Sequence, residues 1–273
     1  MPHEPEEEQA RRQEDINIPE VLPPLKRRRG IYLLPNLFTT AGLFAGFYAI
    51  IAAIGGRYEA AAIAIFVAMI MDSLDGRVAR LTGTQSDFGA EYDSMSDMVS
   101  FGLAPALVIY VWGLSSLGKL GWLAAFIYSA GAALRLARFN TQIKSADKGY
   151  FQGLPSPAAA AIVAGIVWVG SSYEFPGANL AIPAFFLTLL AGILMVSNIR
   201  YHSFKKLDLK GKVPFVTMLI IVLVFVFISI DPPQVLFAVF LLYALSGPAL
   251  TLIQLRKKRL QRKVHEASDF KEP

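Results

Sequence analysis

The 273-residue sequence predicts an all-α fold, a polytopic membrane helical bundle with eight candidate transmembrane helices, and three observations carry that expectation. Hydrophobic residues make up 54% of the chain and charged ones only 17%, with a mean hydropathy of +0.46, which is the profile of a membrane protein. Eight apolar segments are each long enough to cross about 30 Å of hydrocarbon. The basic residues are also segregated. With the N-terminus inside, all but two of the 26 Lys and Arg (the exceptions are Arg57 and Lys119) fall on the cytoplasmic side or in the spans near it, as the positive-inside rule requires.

Taken in order, residues 1–25 are acidic and proline-containing, with Glu4, Glu6, Glu7, Glu8, Glu14, Asp15 and Glu20, and read as a disordered cytoplasmic tail. The stretch is too polar for a secretory leader and lacks a cleavage-like end. Lys26 to Arg29 form a basic cluster that serves as an anionic-leaflet anchor or simply as a topology signal. The apolar segments then run near 33–54, 59–82, 88–112, 120–141, 156–173, 180–199, 213–230 and 233–254. Pro155 and Pro157 mark the start of the fifth. The second to fourth are interrupted by polar residues that must face a cavity rather than lipid. Trp112, Trp122 and Trp168 fall near outer ends of spans, where an aromatic belt would sit. Further basic clusters at Lys205 to Lys212 and Arg256 to Lys263 are cytoplasmic, so both termini are expected inside. In a chain with eight spans, the last cluster suits lipid headgroups better than nucleic acid. The absence of cysteine excludes disulfides and thiolate metal ligands and leaves the redox compartment open.

Four aspartates interrupt the second and third segments. Asp72, Asp75, Gly76, Ala79 and Arg80 follow the i, i+3, i+4, i+7, i+8 spacing of one helix face, and Gly89, Asp93 and Asp97 follow i, i+4, i+8 on the next. Leu81 to Phe88, with Thr82-Gly83-Thr84, is short enough to be a tight turn, so two antiparallel helices would aim four carboxylates at one volume. A carboxylate at membrane depth costs at least about 2.5 kcal/mol by insertion scales. Four together also repel one another, and cations remove both penalties. Carboxylate oxygens are hard donors suited to Mg²⁺ or Mn²⁺, and four of them provide enough ligands for two ions clamping a diphosphate. Chemistry of that kind depends mainly on charge neutralisation and positioning.

Written out, Asp72-Ser-Leu-Asp75-Gly76-Arg-Val-Ala79-Arg80, then eight residues, then Gly89-Ala-Glu-Tyr-Asp93-Ser-Met-Ser-Asp97, resembles the complete signature of the CDP-alcohol phosphotransferase family. Ile31-Tyr-Leu-Leu-Pro-Asn36-Leu-Phe-Thr39, Ala137-Arg138-Phe139-Asn140, Gly153-Leu-Pro-Ser156-Pro157 and Ser197-Asn198-Ile-Arg200 are similar to its phosphatidylserine synthase branch. The resemblance covers residues 31 to 212. It implies a six-helix core within 26–212, an additional helix pair at 213–255, a basic cytoplasmic tail at 256–273, a homodimer, and a bacterial-type inner or cytoplasmic membrane location with the active site facing the cytosol.

The resemblance further implies the reactants, CDP-diacylglycerol and L-serine, with CMP released. By motif position, Asp72, Asp75 and Asp93 would bind metal and Asp93 would bridge two Mg²⁺ or Mn²⁺ ions. Asp97 would complete the second metal site and deprotonate the serine hydroxyl. Asn36, Thr39, Asp72, Gly76, Ala79, Arg80 and Gly89 would meet the nucleotide. Arg135, Arg138, Asn140 and Ser156 would meet the lipid phosphate or the serine. Several of these positions also admit structural readings: Asn36 and Ser156 as helix caps, Gly76 and Gly89 as close-packing points, Arg80 as an ion-pair partner, Arg135 and Arg138 as snorkelling cations. Ser94 and Ser96 read as hydroxyls bonded to helix backbone. The four-Asp signature leaves other acceptors open, namely glycerol phosphate, inositol phosphate or choline. A divalent-cation transporter is a rival reading, and an inactive scaffold is another. A covalent route through a His-x-Lys site finds no such motif here, because His202 is followed by Ser and Phe.

Overall fold

The structure, a computed structural model, describes residues 33–142, 150–202 and 215–269. The acidic N-terminal segment, the Lys26–Arg29 cluster and the 205–212 cluster lie outside the described residues. Within them the chain is an all-α bundle, with one short antiparallel ribbon. Its elements are α1 (Leu33–Ile54), α2 (Tyr58–Thr82), α3 (Asp87–Asp97), a π-helical turn (Met98–Leu103), α4 (Ala104–Trp112), α5 (Lys119–Gln142), β1 (Tyr150–Gln152), α6 (Ser156–Ser172), α7 (Ala181–Val196), β2 (Arg200–His202), α8 (Phe215–Ile230) and α9 (Pro232–Asp269). Among the described residues, five helical stretches are long and apolar enough to cross a membrane: Pro35–Ile54, Asp87–Trp112, Lys119–Thr141, Gly177–Val196 and Pro232–Ile253. The segment expected as a basic cytoplasmic tail continues α9 as helix to Asp269.

Packing follows the logic of lipid as solvent. The interior is built from small residues such as Ala49, Ala52, Ala61, Ala62, Ala68, Ala159, Ala160 and Ala164, while Phe44, Phe47, Ile70, Phe126, Leu190 and Phe225 are exposed. Helices in hydrocarbon gain nothing by hiding large apolar side chains from it, and small residues let backbones approach closely. This inside-small, outside-large pattern makes the chain an integral membrane protein. Trp112 departs from the expected lipid-facing belt, because it is buried and its indole fills the space above Gly170.

Three local devices position the later site. At the α2–α3 corner, Gly83 ends α2 with φ 62°, its N–H bonded to Ala79 O, and Ser86 caps α3 by accepting from Gly89 N at 3.0 Å. In the α3–α4 span, Pro105 has no N–H for the carbonyl of Phe101, one turn back. The chain opens there into a π turn, Tyr128 donates to Phe101 O at 2.9 Å and Ser129 to Gly102 O at 3.2 Å. Finally, α1 is held tightly to this span. Ser96 donates to Thr39 O and Ser100 to Gly42 O, both at 3.1 Å, and a Cβ on Gly46 would lie 2.5 Å from Ser100 Oγ.

Candidate metal and nucleotide centre

The corner formed by Gly83 and Ser86 turns α3 back along α2, so the two aspartate stripes face each other. Carboxylate oxygens of Asp72, Asp75 and Asp93 lie within 4.8 Å of one another. Ionised carboxylates gathered this closely repel one another unless a proton or a cation lies among them. Asp97 lines the same narrow recess, with Asp72, Ser96 and Phe101, but stands outside the three-carboxylate cluster. It lies within electrostatic reach of Asp72, Asp93 and Asp75, and of Arg135.

Asp75 is the most buried of the four, and Thr39 of α1 donates to its Oδ2 at 2.8 Å. The sequence reading assigned Thr39 to nucleotide. Thr39 borders the neighbouring cleft, and its hydroxyl also orients Asp75, as an outer partner fixes a ligating carboxylate. A cleft of about 340 Å³ opens beside the cluster. Asn36, Thr39, Gly76, Ala79 and Gly89 border it, together with Asp75 and Asp93. A side chain at Gly89 would be tight, and one at Gly76 would make only ordinary contact. A Cβ on Gly89 would sit 3.1 Å from Ser86 Oγ and 3.6 Å from Asn36 Oδ1, and one on Gly76 would meet Arg80 Nη1 at 3.4 Å. Arg80 is exposed, lies across Gly76 and exerts its charge on Asp75.

Thr84, Gln85, Ser86 and Asp87 also line the cleft, and sequence reasoning did not single them out. The available signal was their place in the turn joining the two aspartate helices. Tyr128 was missed as well, and only the helix-breaking Pro105 hinted that a neighbour would be needed.

The four acceptor-side residues separate into two pairs. Arg135 is 8% exposed and Ser156 1%. Arg135 Nη1 donates to Ser156 Oγ at 3.1 Å, while Arg135 Nε is buried without a hydrogen-bond partner. Ser156 is the first residue of α6 and makes no side-chain cap, so the capping alternative falls. Arg138 and Asn140 are committed elsewhere. Arg138 donates to the carbonyls of Val196 and Gln152 at 3.0 Å, of Met195 at 3.3 Å and of Ser197 at 3.4 Å, and to Asn198 Oδ1 at 3.3 Å. It is a clamp on the C-terminal end of α7, where last-turn carbonyls lack intrahelical partners, and the expectation that it binds substrate is corrected accordingly. Asn140 Nδ2 donates to Ser94 Oγ at 3.1 Å, tying α5 to α3 rather than facing an acceptor.

The profile of the CDP-alcohol phosphatidyltransferase family matches residues 32–201. The chain belongs to the CDP-alcohol phosphatidyltransferase family. Among its relatives, a Helicobacter pylori (strain ATCC 700392 / 26695) protein named CDP-diacylglycerol–serine O-phosphatidyltransferase is 39% identical over 196 residues, covering 72% of this chain and 83% of that one. A Methanocaldococcus jannaschii protein of the same name is 43% identical over 141 residues, 51% of this chain and 62% of its own. The archaetidylserine synthase of Methanothermobacter thermautotrophicus is 34% identical over 178 residues, 64% and 72% of the two chains. As a CDP-alcohol phosphatidyltransferase, the chain is a membrane-embedded transferase, and its acidic cluster is of the kind that holds metal.

Proposed function

We propose that the enzyme makes phosphatidylserine and CMP from CDP-diacylglycerol and L-serine by direct transfer in a ternary complex. The observation that carries this reading is the cluster of Asp72, Asp75 and Asp93, of which Asp75 and Asp93 also line the cleft of about 340 Å³. The names of the 39% and 43% identical relatives support serine as acceptor.

The donor set fits hard divalent ions, because three carboxylates, one oriented by Thr39, converge where uncompensated charge would be costly. Asp72, Asp75 and Asp93 would hold Mg²⁺ or Mn²⁺, and Asp97 would complete a second ion's ligands. Bound there, the ions supply charge neutralisation to the diphosphate and to the departing CMP. The protein's own side chains do the rest. Asn36, Gly76, Ala79 and Gly89 admit the nucleotide close to the backbone, and Arg80 donates to the diphosphate. Asp97 accepts the proton of the serine hydroxyl as its oxygen bonds to the lipid-side phosphorus. The bond from that phosphorus to the CMP oxygen breaks, and CMP leaves. Proximity makes a weak carboxylate base adequate for this step. Arg135, with Ser156, receives the carboxylate of the amino acid.

The family match ends at Tyr201, which supports a core within 26–212 and the hairpin of α8 and α9 as an addition. Both termini and the cleft are assigned to the cytosolic side by the distribution of basic residues, and the active form is assigned as a homodimer by family resemblance. An acceptor panel with labelled CDP-diacylglycerol tests the central assignment. Serine-dependent CMP release is expected, and CMP release with glycerol phosphate, inositol phosphate or choline but not with serine would reject it.

A further inference from the structure

Helix α9 lies beyond the residues matched by the family profile, and the last matched residue, Tyr201, is where it locks onto the core. Pro248 stands inside α9 and has no N–H, so the carbonyl of Ala244, one turn earlier, lacks its intrahelical donor. Tyr201 is fully buried and donates to that carbonyl at 3.0 Å. Gly247 makes the room, since a Cβ there would lie 2.4 Å from the Tyr201 ring. Ala244, Gly247 and Pro248 thus form a notch that fits one phenol. The π turn uses the same device, with Pro105 orphaning Phe101 O and Tyr128 taking it.

From the notch the constraint runs to the acceptor residues with little slack. Tyr201 is the middle residue of β2 and pairs with Phe151 of β1. The next residue of β1, Gln152, offers its carbonyl to Arg138 at 3.0 Å. Gly153, Leu154 and Pro155 then lead to Ser156, and each is fixed. Gly153 N–H bonds Ile199 O at 2.9 Å, and buried Leu154 bonds Leu194 O through its N–H at 3.0 Å. The ring of Pro155 holds its φ at −56°. Ser156 Oγ accepts from Arg135 Nη1 at 3.1 Å, so a shift of Ser156 turns the guanidinium.

We propose that Tyr201 is a positioning residue for the acceptor: seated in the α9 notch, it holds the β-ribbon and thereby Ser156 against Arg135. This rests on the assignment of Arg135 and Ser156 to the acceptor's carboxylate in the proposed function and deepens it. It gives α9, outside the family-matched residues, a part in acceptor binding. A guanidinium fork meets a carboxylate in a set geometry, so a small displacement of Ser156 weakens acceptor binding. The nucleotide cleft, built from α1, α2, α3 and the turn between the last two, is left unaffected.

The test is steady-state CMP release by the full-length protein in membranes. Tyr201→Phe removes the tether and is expected to raise the KM for L-serine about 5-fold, the effect of one hydrogen bond, with kcat and the KM for CDP-diacylglycerol near wild type. Gly247→Ala drives the ring from the notch and should act in the same direction. Pro248→Ala returns an N–H to the Ala244 carbonyl. The double variant Tyr201→Phe/Pro248→Ala should therefore regain thermal stability and still keep the raised serine KM. Tyr173→Phe loosens the other end of α9, where Tyr173 bonds Asp231 and Gln234, and should lower stability without moving the serine KM. An unchanged serine KM in Tyr201→Phe, an equal rise in the KM of both substrates, an equal rise in Tyr173→Phe, or a double variant that regains the wild-type serine KM overturns the proposal. If Tyr201→Phe fails to fold, the double variant, whose carbonyl is satisfied, is read in its place. If the wild-type enzyme releases CMP with another acceptor and not with serine, the proposed function fails first. The variants are then read on that acceptor's KM, and the positioning role falls if Tyr201→Phe leaves that value unmoved.

Discussion

Thr39 borders the cleft and also bonds Asp75, which sets what its removal should do. Thr39→Val keeps the shape but removes the 2.8 Å bond to a nearly buried carboxylate. Loss of an outer partner of a metal ligand typically weakens metal affinity about 10–100-fold. We expect Thr39→Val to raise the Mg²⁺ or Mn²⁺ concentration for half-maximal activity by that factor, with near-normal turnover at saturating metal, read by metal titration. The reassigned Arg138 belongs at the same scale. Its donors are spent on carbonyls and on Asn198, so Arg138→Ala should act on stability. A loss of about 1.5–3 kcal/mol is expected for charged hydrogen bonds of this type, read as a lower melting temperature in detergent. The aspartates and the motif glycines were legible in the sequence because their spacing repeats on a helix face and their charge is intolerable without a partner. The contrast between Arg135 and Arg138 was not. The two are one turn apart, and which one meets carbonyls depends on where α7 ends, a tertiary fact that no local pattern encodes.

Among the elements, the corner between α2 and α3 and the π turn after Asp97 set the site's geometry. The corner was legible, since Thr-Gly-Thr between two amphipathic stripes is turn chemistry. The π turn was not. Its cause is Pro105, but the outcome depends on Tyr128 of α5 being present to take the orphaned carbonyl of Phe101. Tyr128→Phe leaves that buried carbonyl unsatisfied, which costs about 1–3 kcal/mol. Because the π turn follows directly on Asp97, turnover should fall along with stability. Equal stability and turnover to wild type, measured by thermal melt and CMP release, would count against this link. The loop between β1 and α6 makes a second element-scale case. Gly153 has φ 77° and a Cβ there would lie 2.2 Å from Met195 O. Gly153→Ala should therefore displace this loop from the end of α7 and lower the yield of folded protein, seen as a smaller monodisperse peak after solubilisation.

For the whole molecule, the arrangement of small residues inside and large apolar residues outside explains how a mostly hydrophobic chain can hold a polar chamber in lipid. The all-α membrane class was legible from hydropathy and charge segregation alone. What lay beyond reach was the use of α9, because an apolar helix announces that it crosses lipid but not which neighbour it touches. At this scale the proposed function turns on convergent carboxylates of α2 and α3 holding divalent ions on which diphosphate cleavage would depend. The most direct measurement is CMP release from CDP-diacylglycerol and L-serine by metal-stripped membranes, before and after adding Mg²⁺ or Mn²⁺, for the wild type and for Asp93→Asn. The account predicts that the wild type is silent until metal returns, and that Asp93→Asn stays at least about 10²-fold slower while still inserted in the membrane. Wild-type rates from Asp93→Asn, or full activity without divalent metal, would contradict it.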